Sequence, residues 1–291
     1  MPSPNDKFQE LLQKRITEVR SAYDNDPNKD SFNALVYGDM GTGKTALART
    51  CRFPVLIHSF DRGGSKTSLL QPDIKAGNIM VDNRFERDRW HEPVAYRMWE
   101  REYEMLKQIG MFDNIGTYML DSLSSWAESL MYEIVKGRRT GKSASSSKDS
   151  YDYQLQDYNI QQVTGVDALG DIMNLPCDVI VTGHIGLDKD EVTGGYIAGV
   201  MLAGKFSAKV PNVFDEKYIS KVTTGADGKP KYQLQTHTVG IYKAETRIGG
   251  GKFETYEEPD IRKLLTKAGR TVVDKPSFIQ LLGSKQDMPK V

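Results

Sequence analysis

The chain has 291 residues, of which 38% are hydrophobic and 27% are charged. This size and balance exclude a mainly disordered chain and favour one large globular domain, or one domain with a small appendage. Basic and acidic residues number 39 each, so no overall positive charge attracts the chain to nucleic acid, and any such binding must come from local clusters.

The ends and the cysteines of the sequence exclude other classes. The polar N-terminus lacks the pattern of a signal peptide, and no apolar run is long enough to cross a membrane. Cys51 and Cys177 are far apart and match no metal or redox spacing. We therefore expect buried thiols and a reducing, cytoplasmic environment.

Hydrophobic periodicity predicts alternating helices and strands through the first two thirds of the chain. The predicted helices cover 8–23, 44–53, 94–109, 123–135 and 151–175, and the predicted strands cover 31–37, 54–60, 78–82, 116–121 and 177–183. A low-complexity loop rich in Gly, Ser and Lys is predicted over 136–150. The alternation indicates a largely parallel sheet with helices on both faces.

The last third of the sequence has a different pattern. A glycine-rich stretch over 183–204 precedes short strands near 217–223, 232–236 and 239–244, which suggest antiparallel additions to the sheet. A closing helix is expected over 258–268. We therefore divide the chain into a helical arm (1–30), an α/β core (31–270) and a tail (271–291).

The strongest motif is GDMGTGKT at 38–45, which matches G-x-x-x-x-G-K-[ST] between a predicted strand and a predicted helix. Glycines permit a tight turn, so that successive backbone N–H groups face an anion at a helix N-terminus. The predicted nucleotide-binding residues are Gly38, Gly41, Thr42, Gly43, Lys44 and Thr45. The alternative is a chance glycine turn, which this strand-loop-helix context disfavours.

The two residues that end the motif have separate predicted roles. Lys44 can reach the β- and γ-phosphates as a point charge. Thr45 can offer its hydroxyl to Mg²⁺. The sequence therefore predicts ATP with Mg²⁺ as the ligand, although it contains no motif that distinguishes ATP from GTP.

Asp121 ends the buried strand TYMLD, and a parallel strand that ends in an acid places a carboxylate at the edge of the sheet beside the phosphate loop. At this position an acid can hold Mg²⁺ through water. The alternative is an ordinary junction in which Asp121 or Ser122 caps the next helix. The phosphate loop upstream favours the metal role.

Hydrolysis also needs a group that orients or deprotonates water. Ser122, and no second acid, follows Asp121. Asp61 ends the strand after the loop helix, and a right-handed crossover brings that strand end to the same edge of the sheet. Asp61 is therefore the candidate water-orienting acid, and a turn aspartate before Arg62 is an equally good interpretation.

His184 follows the buried strand CDVIVTG and is predicted at the same edge. A polar residue there can contact the γ-phosphate or the attacking water and report the nucleotide state to the next loop. The alternative is a histidine whose ring nitrogens are simply satisfied at a strand end.

Taken together, GDMGTGKT, the Asp61 strand end, MLDSLSSW and VIVTGH resemble the RecA-type ATPase core. The segments LQDYN, LAGKF, PNVFDEKYIS and KAETR further resemble phage-encoded AAA-domain proteins that include the Sak-type single-strand annealing ATPases. This resemblance covers 32–268 and implies a RecA-like P-loop NTPase fold, self-assembly and work on single-stranded DNA during phage recombination. RecA-type proteins usually have Glu where Asp61 stands, and because Asp is one methylene shorter, the geometry around the water differs from theirs.

Two segments are candidate DNA contacts because they follow strands or helices at which RecA-like proteins carry DNA loops. The first holds Arg138, Arg139 and Lys142, and the second holds Lys205 and Lys209. Basic residues in a loop can follow a phosphate backbone. The alternative, a solvated surface loop, is common for isolated charged segments.

Arg247, in KAETR, resembles the late arginine of the family. The resemblance implies that such a cation reaches the γ-phosphate of a neighbouring subunit, and Lys243 is the second choice. Surface pairing with Glu245 or Glu254 explains Arg247 equally well.

The sequence as a whole predicts an ATPase that acts on single-stranded DNA as a homo-oligomer, either a ring or a filament. A single-strand-binding protein is a further expected partner, and the expected location is the bacterial host cytoplasm. Two alternatives stay open. One is a nucleotide-gated assembly module that hydrolyses ATP slowly or not at all, and the other is a motor or loader that acts on a protein such as a helicase.

Overall fold

The computed structural model describes residues 4–26, 28–140, 153–189 and 194–283. The chain separates into two units, Met1–Ser31 and Phe32–Val291. The first unit contains the helix α1 (Pro4–Asp24), whose apolar side chains, including Phe8, Leu11 and Ile16, are exposed.

The second unit is built on one sheet. Its strands within the described ranges are β1 (Asn33–Gly38), β2 (Val55–Ser59), β3 (Ile79–Asp82), β4 (Thr117–Asp121), β5 (Asp178–Lys189), β6 (Tyr196–Val200), β7 (Glu216–Thr224), β8 (Pro230–Gln235) and β9 (Tyr256–Glu257). The strand order is β3-β2-β4-β5-β1-β7-β8-β9, and β6 pairs with β5. The strands from β3 to β7 in this order are parallel, and β6, β8 and β9 pair antiparallel.

The helices cover both faces of the sheet. They are α2 (Gln71–Lys75), α3 (Ala95–Gln108), α4 (Leu123–Thr140), α5 (Leu155–Met173), α6 (Lys205–Lys209), α7 (Ile261–Ala268) and α8 (Phe278–Gly283). One core contains Trp99 of α3 and Trp126 of α4, and the other contains Leu264 of α7. This arrangement confirms the predicted fold class, a mostly parallel sheet flanked by helices with antiparallel strands added near the C-terminus.

The parallel register determines where the strands end. Gly38 is opposite His184, and Ser59 is opposite Asp121. The carboxyl ends of β1, β2, β4 and the parallel part of β5 therefore meet at one edge of the sheet, which we call the carboxyl edge. The opposite edge, where β1 and β5 begin, is the amino edge.

Several predicted boundaries were wrong. The helix after the phosphate loop is a short 3₁₀ helix, Thr45–Thr50. Residues 136–140 belong to α4 and not to a loop. The glycine-rich stretch is largely a hairpin, because β5 continues to Lys189 and pairs with β6.

The predicted strand over 239–244 was also wrong. Gly240 has φ +57°, a conformation that reverses the chain and that an extended strand does not contain. Val239 and Tyr242 therefore pair with each other, and the Thr238 hydroxyl bonds with the backbone of Ala244. A tight turn satisfies the polar backbone groups here.

Residues 271–283 lie against the amino edge. The backbone N–H of Lys275 donates to the carbonyl of Phe53 at 2.8 Å, and that of Phe278 donates to the carbonyl of Gly77 at 2.9 Å. Among the described helices, none has the length and apolar character that crossing a bilayer requires.

Candidate functional site

The phosphate loop is fixed against β7. Gly41 and Gly43 have φ +75° and +91°, which only glycine adopts readily. A Cβ at Gly38 would lie 2.3 Å from the backbone oxygen of Ser220, so a side chain there would displace the loop from β7. The Ser220 hydroxyl also donates to the Thr42 carbonyl at 2.8 Å.

Lys44 is nearly buried and its amine lies at the start of the loop, where it donates to the carbonyls of Gly38 at 2.9 Å and Asp39 at 2.7 Å. Burial lowers the pKa of this amine, and the nearby carboxylates of Asp121, Asp61 and Asp39 oppose that change. Phosphate oxygens form stronger, charge-assisted bonds with an ammonium than carbonyls do. The loop therefore presents a cation that a triphosphate can recruit.

Asp121 joins the loop to the rest of the carboxyl edge. Thr45 Oγ1 donates to Asp121 Oδ2 at 2.7 Å, and Thr182 of β5 donates to Asp121 Oδ1. Burial raises the pKa of Asp121, and the charge of Asp61 raises it further, against the opposing effects of the two hydroxyls and Lys44. The site thus holds a buried acid whose direct partners include two neutral hydroxyls.

These groups fit Mg²⁺. The hydroxyl of Thr45 and the carboxylate of Asp121 are hard oxygen donors side by side. Within the described residues, no cluster of three or more His, Cys, Asp and Glu side chains could hold a metal ion. A site of this kind suits Mg²⁺, which takes its other ligands from phosphates and water. The bound ion would neutralise charge that develops on the phosphates.

Asp61 is held by three side chains. Ser122 and Ser125 each donate to Asp61 Oδ1 at 2.6 Å, and Nε2 of His184 lies 3.1 Å from Asp61 Oδ2. Burial alone raises the pKa of Asp61, but the bonds from His184, Ser122 and Ser125 together bring it down to about 2. A carboxylate with so low a pKa is a weak base, so it is suited to orient a water molecule more than to deprotonate it.

The structure therefore brings together five residues that the sequence predicted for the site, namely Lys44, Thr45, Asp61, Asp121 and His184. Their strands are separate in the sequence and meet at the carboxyl edge.

Arg247 lies elsewhere in its own chain. Its backbone N–H donates to Glu216 Oε1 at 2.8 Å, and Glu216 is in register with Ala34 near the start of β1. Four residues of strand, about 13 Å, separate that position from Gly38. The guanidinium pairs with Asp215 at 2.9 Å. A role at the phosphates would need a neighbouring subunit, so it stays a prediction.

The predicted DNA contacts have different surroundings. Arg138 of α4 pairs with the buried Asp157 of α5 at 3.0 Å, so its guanidinium connects these two helices. Lys205 and Lys209 are exposed on α6. The side chain of Arg139 and all of Lys142 lie outside the described residues.

Other site residues were missed from the sequence. Thr182 comes two residues before His184, so the same strand-end argument could have found it. Ser125 lies one turn into the helix after Asp121, at a spacing that faces Asp61. Glu86 has no such signal, because it reaches the site from the 3₁₀ helix Arg84–Arg87 after β3, where it accepts bonds from the Ser59 hydroxyl and the Gly63 N–H.

The chain is similar to a known protein family and to several solved structures. A family model described as "AAA domain" matches residues 31–242. No curated protein matches the chain. Two of the solved structures that match are a KaiC-like protein from the hyperthermophilic archaeon Pyrococcus horikoshii OT3 and a type III secretion system ATPase of pathogenic bacteria.

The first of these structures is 11% identical with a TM-score of 0.40, and the alignment covers 74% of this chain and 82% of that one. The second is 13% identical with a TM-score of 0.39, and the alignment covers 65% of this chain and 51% of that one. Because the family model spans most of the sequence and the phosphate loop is complete, this chain belongs to the AAA domain family and is a P-loop ATPase.

Proposed function

We propose that this ATPase binds single-stranded DNA and, as a homo-oligomer, promotes annealing or strand handling in the host cytoplasm of a phage. The observation that carries the proposal is a cleft at the carboxyl edge that begins at His184. Because His184 also contacts Asp61, a strand bound in this cleft would touch the same side chain that holds the water-orienting acid.

The cleft has a volume of about 410 Å³ and lies between α4, α5 and the segment after β6. Tyr153 and Tyr158 line it, with ring centroids 6.0 Å apart in an edge-to-face arrangement. Gln161 also lines it, and the buried Oε1 of Gln161 accepts no bond from any described residue. The aromatic rings are suited to stack on a base, whereas the Gln161 oxygen is buried and supports no contact with one.

The charge around this cleft is mixed, because the acidic Glu128 lines it and two lysines follow its last lining residue in the chain. Ala203 lines the cleft, and α6 with the exposed Lys205 and Lys209 follows directly. Lysines placed in this way can contact the phosphates of a strand whose bases enter the cleft. Arg138 contributes less than the sequence suggested, because Asp157 neutralises it.

Two assays test this function. Phosphate release from ATP should increase when single-stranded DNA is added. The anisotropy of a labelled oligonucleotide should report binding that weakens as salt rises. Replacing Tyr153 and Tyr158 together by Ala should weaken DNA binding about tenfold, while Tyr256→Ala, an exposed tyrosine on β9, should not change it. Absence of DNA binding at low salt would remove the basis of the proposal.

A second function is favoured by one observation. Three donors hold the Asp61 carboxylate and lower its pKa to about 2. Because so weak a base does not readily deprotonate water, this arrangement favours slow hydrolysis. The protein would then use ATP to set its assembly state. Two measurements distinguish the two functions: sedimentation with ATP and with ADP reports assembly, and phosphate release with and without DNA reports turnover. Assembly with ATP, together with turnover that DNA does not change, would favour the nucleotide-gated module.

The homo-oligomer can be tested through Arg247. If Arg247 completes the site of a neighbouring subunit, Arg247→Ala and Lys44→Ala should each be inactive alone. A mixture should regain activity, because the Lys44→Ala subunit still offers Arg247 to an intact phosphate loop. Failure of the mixture to regain activity would leave Arg247 with its surface partner Asp215.

A further inference from the structure

The two flanks of the phosphate loop differ in chemistry. On one flank lie β5 with His184 and β4 with Asp121, and Asp61 follows β2 there. On the other flank lie β7 and β8. Thr45 and Asp121 bond to each other on the first flank, so the metal and the terminal phosphate belong there. If the terminal phosphate lies on that flank and the triphosphate extends across the loop, the ribose and base lie on the other flank, near β7 and β8.

Tyr232 stands on that second flank. Tyr37 of β1 is opposite Ile219 of β7, and Val222, three residues further along β7, is opposite Tyr232 of β8. The pair therefore lies beyond the end of β1, beside the phosphate loop.

The ring of Tyr232 is close to the loop and accessible. A Cβ at Gly43 would lie 3.5 Å from Tyr232 Cδ1, so the ring packs against the backbone of this glycine. Tyr232 is 45% exposed, and its cross-strand partner Val222 is 40% exposed. An aromatic ring and a valine thus form an open apolar surface next to the phosphate loop.

We propose that Tyr232 is the platform on which the base of the bound nucleotide stacks, with Val222 extending the apolar surface. The inference rests on the nucleotide-binding part of the function proposed above. Stacking uses the π-face that every base has, and it is sequence-tolerant. Adenine and guanine should therefore both be accepted, with the larger purine ring favoured over a pyrimidine.

The proposal separates the base from the phosphates, and the test does the same. Calorimetric titration of the full chain with ATP and with inorganic tripolyphosphate compares a ligand that has a base with one that does not. Tyr232→Ala should weaken ATP binding about tenfold and leave tripolyphosphate binding within twofold of the wild type. Tyr232→Phe keeps the ring and should bind ATP like the wild type.

A matched control is available on the neighbouring strand. Tyr256 of β9 is 42% exposed, and Tyr256→Ala should change neither affinity. Equal weakening of both ligands by Tyr232→Ala would show that the ring only supports Gly43 and would overturn the platform. Unchanged ATP binding would also overturn it. If the wild-type chain bound neither ligand, the nucleotide-binding function itself would fail.

A fluorescent variant gives a second readout. In Tyr232→Trp, stacking of a base on the indole should quench its emission when ATP binds, and tripolyphosphate should cause a much smaller change. Equal quenching by the two ligands would contradict stacking, since tripolyphosphate has no ring to place on the indole.

Discussion

The two edges of the sheet each hold a buried aspartate, and the partners of these aspartates differ. Asp121 ends β4 at the carboxyl edge and accepts bonds from the hydroxyls of Thr45 and Thr182. Asp178 begins β5 at the amino edge and accepts bonds from Arg52 at 2.7 Å and from the backbone N–H of Phe32 at 2.9 Å. Burial raises the pKa of both carboxyls.

This difference in partners indicates which of the two acids can bind a ligand. The guanidinium of Arg52 pairs with Asp178 and also donates to the carbonyl of Thr271 at 2.6 Å. The pair therefore connects the segment 271–283 to the start of β5. Asp121 has hydroxyl partners, and the amine of Lys44 bonds to loop carbonyls instead. The carboxylate of Asp121 can therefore still pair with the Mg²⁺ that accompanies a nucleotide.

The largest expected effect is at the carboxyl edge. Lys44→Ala removes the cation that phosphate oxygens can recruit, so ATP affinity should fall at least a thousandfold, about 4 kcal/mol. Calorimetric titration measures this loss. Lys209→Ala removes an exposed amine on α6 and serves as the control. Unchanged ATP affinity in Lys44→Ala would contradict the site.

At the amino edge the expected effect is on stability. Arg52→Leu leaves Asp178 buried without its guanidinium, which should cost about 3 kcal/mol of unfolding free energy. Arg49→Leu breaks a more exposed pair with Asp73 and should cost less than about 1 kcal/mol. Denaturant titration measures both variants. Loss of ATP binding in a folded Arg52→Leu protein would show that the two edges are not independent.

Asp121→Asn should give the opposite pattern. Removing a buried charge that hydroxyls hold should leave stability unchanged or slightly higher, because burial already disfavours the ionised form. Phosphate release should fall about a hundredfold, about 2.7 kcal/mol, since Mg²⁺ loses a negatively charged partner. A variant that loses stability and keeps its activity would reverse the roles of the two acids.

Sequence reasoning identified Asp121 but not Asp178, and the reason is physical. A glycine loop, a strand and a terminal acid form a local pattern, and parallel pairing brings such strand ends together. Asp178 is paired by Arg52, which is 126 positions away, and nothing local marks that pair. The same limit applies to Glu86 and Tyr232, whose roles depend on how distant segments fold back onto the loop.

The pH dependence of stability should distinguish the edges further. The pKa of Asp178 is about 6, because burial raises it more than Arg52 and the Phe32 N–H lower it. Since this value is above the unfolded one, the stabilising contribution is present at low pH. It should be lost as pH rises from about 4 to about 6, by about 2 kcal/mol. Comparing the unfolding free energies of wild type and Asp178→Asn isolates this contribution, and a flat difference would contradict the shift.

The smallest expected effect concerns Asp61. Asp61→Asn keeps the shape of the side chain but removes the charge that His184, Ser122 and Ser125 surround. ATP affinity should stay within twofold, and turnover should fall about tenfold. Asp227→Asn, in an exposed turn, is the control.

The pH profile of turnover makes this prediction stricter. Because the pKa of Asp61 is about 2, its carboxylate is charged throughout the range in which the protein can be assayed, and it should add no inflection between about pH 5 and 9. Wild type and Asp61→Asn should therefore give parallel profiles that differ in height alone. An inflection that disappears in the variant would instead show that Asp61 titrates as a base. The bonds from its three donors, which keep its pKa low, would then have to break during turnover.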